Sequence, residues 1–120
     1  MKNIFLLPTD KPSRLLYFGT SKELTLQVNS ATFRVFERSP QNIYITSDEE
    51  IKDVNWRYDV ELNRIEKGKE SGVFKNWKKI ILTTDQDLIK DGVQAIDDEF
   101  LEWFIKNPSC DFVEVVEKLK

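Results

Sequence analysis

Hydrophobic and polar positions alternate with a period of two along much of the chain, which is the pattern of half-buried strands. Leu24, Leu26 and Val28 alternate with Thr25 and Gln27, and Trp56, Tyr58 and Val60 alternate with Arg57 and Asp59. Ile4–Leu7 is a short apolar run stopped by Pro8, and Arg14–Phe18 is rich in Leu and aromatics and ends at Gly19. Thr32–Glu37 reads as a further strand, so Glu23–Glu37 predicts a hairpin about the turn-like "VNSAT". Pro40 and Asn42 mark a break before a strand at Ile43–Thr46. Trp56–Val60 and Arg64–Glu66, joined by "ELN", predict a second hairpin, and "KGKESG" a charged tip. Ile80, Ile81 and Leu82 form a continuous apolar run, expected of a central strand covered on both faces. The β-branched content of Phe112–Val116 predicts a closing strand.

One segment has helical spacing. Phe100, Leu101, Phe104 and Ile105 form an apolar stripe with Trp103 beside it. Asp97 can N-cap this helix, Asp98 and Glu99 then fall in its first turn, and Ile96 and Leu101 occupy the positions of a hydrophobic staple. Asn107 before Pro108 ends it. The elements imply an α+β, mainly β fold: a twisted antiparallel sheet or small β-barrel, with one helix in the C-terminal half before the last strand. The 120 residues form a single domain (1–120), long enough to bury a core without metals or disulfides.

Composition narrows the chemistry. The chain has no histidine, which removes histidine triads, histidine metal ligands and imidazole acid–base catalysis together. The sole cysteine, Cys110, excludes an intrachain disulfide, suits a reducing compartment and has no base to activate it. A net charge of −3 gives no general attraction to nucleic acid or anionic lipid. The apolar run near Met1 is too short for a signal peptide, and no run has the length of a membrane span, so a cytoplasmic protein is expected. The glycines form no phosphate-binding loop.

The most concentrated chemistry is "TTDQDLIKDGVQAIDDEF", Thr83–Phe100, with six carboxylates and Glu102 just beyond. Neither calcium-loop register fits: starting at Asp87 places Ile89 third, and starting at Asp85 places Ile89 fifth. Helix capping at Asp97–Glu99 and a turn at Asp91–Gly92 account for these acids more simply than a carboxylate enzyme built on Asp85, Asp87 and Asp91. No catalytic residue, metal ligand or cofactor is assigned. Two binding candidates remain. Lys75, Lys78 and Lys79 flank Trp77, the composition of a single-strand nucleic-acid platform. Trp103, on the flank of the helix stripe, suits a protein interface.

"NIYITSDEEIKDVNW", "KKIILTTDQDLIKDGVQAIDDEFLEWFIKNPSC" and "DFVEV" together resemble a recurrent set of small uncharacterised proteins of tailed phages and Bacteroidota-type bacteria. In that set a strand ending in Thr-Thr-Asp is followed by a Gly-Val loop, a Phe-Leu-Glu-Trp-Phe helix and an Asn-Pro-Ser-Cys exit. The resemblance is close over Lys78–Val115 and clear over Asn42–Trp56, and weaker over residues 13–41 and 61–77. That family has no established catalytic residues to carry over. The resemblance implies a phage or prophage setting, hence host-cell cytoplasm, and an accessory protein that binds a protein partner such as a host factor. Exposed sheet edges would let it add a strand from a partner or from a second copy as a homodimer. A small β-barrel nucleic-acid binder is the alternative.

Overall fold

The computed structural model describes residues 2–11, 13–18, 23–26, 38–68 and 77–114. In chain order the elements are β1 (Ile4–Pro8), β2 (Leu15–Phe18), β3 (Glu23–Leu26), β4 (Arg38–Ser47), β5 (Trp56–Asp59), β6 (Arg64–Lys67), β7 (Trp77–Thr83), α1 (Gln86–Lys90), β8 (Gln94–Ala95) and α2 (Asp98–Lys106). They build one mainly antiparallel sheet, ordered β3-β2-β4-β7-β5-β6, with β1 on β4 and β8 parallel to β7. The sheet is open: among the described residues β3 and β6 lie at its two ends and do not pair, so no barrel forms.

β4 organises the sheet. Gln41 faces both Pro8 of β1 and Leu15 of β2, while Tyr44 and Ile45 face both β1 and β7. β2 and β7 therefore share the edge of β4 opposite β1, one after the other, and part company at Asn42–Ile43. The expected break at Pro40 is absent, because Pro40 lies inside β4. Its carbonyl points to the β1 side, accepting from Thr9 N at 2.9 Å. The missing proline N–H points the same way, just past the end of β1, so no ladder bond to β2 is lost.

Two apolar clusters lie on opposite faces of the sheet. Ile4, Leu15, Ile43 and Ile45 meet Leu101 and Phe104 of α2 on one face. Phe5, Tyr44, Tyr58 and Ile80 meet Leu88 of α1 on the other, with Phe5 and Tyr58 stacked at 4.2 Å. The alternation within β1 and β4 makes this division. β7 departs from strict alternation. Its pairing with β4 slips between Ile45↔Leu82 and Thr46↔Ile80, leaving Ile81 as an extra residue. This bulge lets both Ile81 and Leu82 pack on the α2 side while Ile80 faces α1. The expectation of a central strand covered on both faces therefore holds.

Two other expectations change. A second helix, α1, lies within the acidic stretch that reads as a loop. Phe112–Glu114 is not a strand. Instead Asp111 O accepts from Asn3 N (2.8 Å) and Ile4 N (3.2 Å), and the Asn3 amide bridges Val113 through both its oxygen and nitrogen. Two backbone amides and the Asn3 side chain thus hold this segment against the start of β1. Glu23–Leu26 pairs with β2, whereas the expected strand at Thr32–Glu37, its turn and Val115–Val116 lie outside the described residues.

The turn after α1 uses Gly92 at φ +105°. A Cβ there would meet nothing within 4 Å, so its cost is conformational alone. Gly92→Ala is expected to lower stability by about 1 kcal/mol in denaturant titration, and an unchanged midpoint would place the backbone in another conformation.

Candidate functional site

The carboxylates of the acidic stretch separate into individual structural tasks. Asp85 is buried and N-caps α1, accepting from Asp87 N at 3.0 Å. Its other oxygen accepts from the buried Tyr44 hydroxyl at 2.7 Å. The two threonines before it close the point where β2 and β7 diverge. Thr83 Oγ1 donates to Ile43 O (2.8 Å) and accepts from Asp85 N (3.0 Å). Thr84 Oγ1 accepts from Ile43 N (3.0 Å) and donates to Asn42 Oδ1 (3.2 Å). Ile43 is fully buried, so its backbone groups need these partners. Thr-Thr-Asp thus works as a side-chain splice that supplies hydrogen bonds where the neighbouring strands leave a gap.

The remaining acids face outward. Asp87 pairs with Lys11, which holds its carboxyl below the usual range. Asp91, the C-cap of α1, accepts from Lys67 Nζ at 2.6 Å and from Trp56 Nε1 at 2.8 Å, and these bonds lower its pKa in that order. Asp97 caps α2 through a 2.8 Å bond from Phe100 N, with Asp98 and Glu99 in the first turn. Among the described residues, no three Asp, Glu or Cys side chains come together as a metal site requires.

Burial, and next the hydrogen bond to Asp85, push the Tyr44 phenol well above its ordinary range; burial also raises Tyr58. The neutral phenol is thus favoured in the folded state. Stability is full below the unfolded-chain value near pH ~10 and falls as pH rises past it, by at most about 1.4 kcal/mol per pH unit per group. Denaturant midpoints at pH 8, 10 and 11 are expected to fall more steeply in the native chain than in Tyr44→Phe. Equal slopes would show that Tyr44 ionises freely.

The basic–aromatic candidate lies on β7 except for Lys75, which falls outside the described residues. Trp77, Lys78 and Lys79 are half-buried and already engaged. The Arg57 guanidinium sits over the Trp77 ring at 4.4 Å from its centroid, and Arg64 lies at 5.9 Å. Arg57 is also tied to Glu66 at 2.7 Å and to the carbonyls of Lys67 and Gly68. Lys78 Nζ lies 3.7 Å from Asp48 and Lys79 Nζ 3.8 Å from Glu49. This stack was not visible in the linear pattern, because it needs the register Asp59↔Trp77 and Arg57↔Lys79.

Besides the exposed Val54 and Phe112, two exposed apolar features stand out among the described residues. Trp103 is 44% exposed on α2, its ring 5.8 Å from Phe100, while the adjacent Phe104 is 1% exposed. At the β5–β6 turn, Val60 and Leu62 are 38% and 60% exposed. The turn beneath them is firmly held. Asp59 Oδ1 accepts from Glu61 N (2.9 Å) and Leu62 N (3.2 Å), and Tyr58 Oη donates to Asn63 Oδ1 at 2.5 Å. Asn63 takes the left-handed conformation such turns require, at φ +50°. The sequence marked Trp103 but not Leu62, whose only signal was its place in the "ELN" turn. α2 packs by β3 at one end of the sheet, whereas β5 and β6 lie at the other. The two features are therefore separate patches.

No helix among the described residues is long and apolar enough to cross a membrane. No protein-family model, curated protein or solved structure matches the chain.

Proposed function

We propose that this is a non-enzymatic accessory protein of the phage type, which works by binding another protein. The observation that carries this reading is the β5–β6 turn. Its backbone is fixed by Asp59, Tyr58 and Asn63, while Val60 and Leu62 face solvent. A pre-formed turn loses little conformational entropy on docking, and apolar anchors on such turns concentrate binding energy. Trp103 offers a second, separate anchor. The phage setting rests on the resemblance over Lys78–Val115.

The nucleic-acid alternative draws on Trp77, Lys78 and Lys79. The carboxylates of Asp48 and Glu49 offset those lysines, and Arg57 already occupies the ring. Affinity capture from native or phage-infected lysate, with wild type, Leu62→Ser and Trp103→Ser in parallel, tests the proposal. One partner retained by wild type is expected to be lost at least tenfold with Leu62→Ser, about 1.4 kcal/mol or more of binding. Melting temperature should stay within about 2 °C for this exposed residue. Equal capture by all three proteins, turnover of a nucleotide or phosphodiester, or retardation of labelled single strands at low salt would overturn it.

A further inference from the structure

We draw no further inference here: the strongest candidate, the groove of about 440 Å³ between the Lys78–Leu82 part of β7 and the Phe112–Glu114 segment, has an apolar floor of Ile81, Leu82, Phe112 and Val113 and a rim carrying both charge signs, and nothing in the structure shows what covers it.

Discussion

Asp85→Ala is expected to lower the melting temperature by about 10 °C, corresponding to about 2–4 kcal/mol for a chain of this length. Two losses combine. The Tyr44 hydroxyl would remain buried without its 2.7 Å acceptor, an unsatisfied group costing about 1–3 kcal/mol. The first turn of α1 would also lose its cap, which costs about 1 kcal/mol. Tyr44→Phe removes only the hydroxyl and should cost about 1 kcal/mol, since the Asp85 carboxylate keeps its bond to Asp87 N. The double variant then separates the readings. With the phenol already gone, Asp85→Ala should cost clearly less than it does alone, a coupling of about 1 kcal/mol or more. Strict additivity in this cycle would mean that the two side chains do not meet.

Phe104→Ala is expected to cost about 3–5 kcal/mol, the range for deleting a fully enclosed aromatic. Phe104 meets Leu15, Ile43 and Ile45 through the cluster beneath α2 and stacks against Phe100 at 6.0 Å. Trp103→Ala, one position along, should cost about 1 kcal/mol or less, because that ring stands largely outside the cluster. Both variants can be followed by urea titration. Comparable losses at the two positions would rotate α2 about its axis relative to the arrangement described. Such a rotation would also bring Trp103 inward and remove it as an anchor for a partner.

What could be read from the linear chain follows the range of the interactions involved. The caps at Asp97 and the turn at Asp91–Gly92 depend on residues two or three positions apart, so their chemistry is visible locally. The β5–β6 hairpin and α2 were likewise legible, because each has a clear period and a defined turn or stop. Pro40 misled because its effect depends on which neighbour its nitrogen faces, and only the pairing of β4 decides that. α1 escaped because five residues are too few to establish a helical period. Phe112–Glu114 has strand-like composition, yet the Asn3 side chain takes the positions a partner backbone would use. The pairing of Tyr44 with Asp85 spans 41 positions, and the stack of Arg57 on Trp77 appears only once β5 and β7 are in register. Both lie beyond any local pattern.

The bridge from Asn3 to Val113 joins residues 110 positions apart. During synthesis, Asn3 leaves the ribosome long before Val113 is translated. The outer flank at the start of β1 therefore stays unclaimed until Val113 has emerged. Such distant closure favours slow, late consolidation over stepwise folding from the first residues. Truncation just before Asp111 would leave that flank bare in every molecule, an opening for chain-to-chain association.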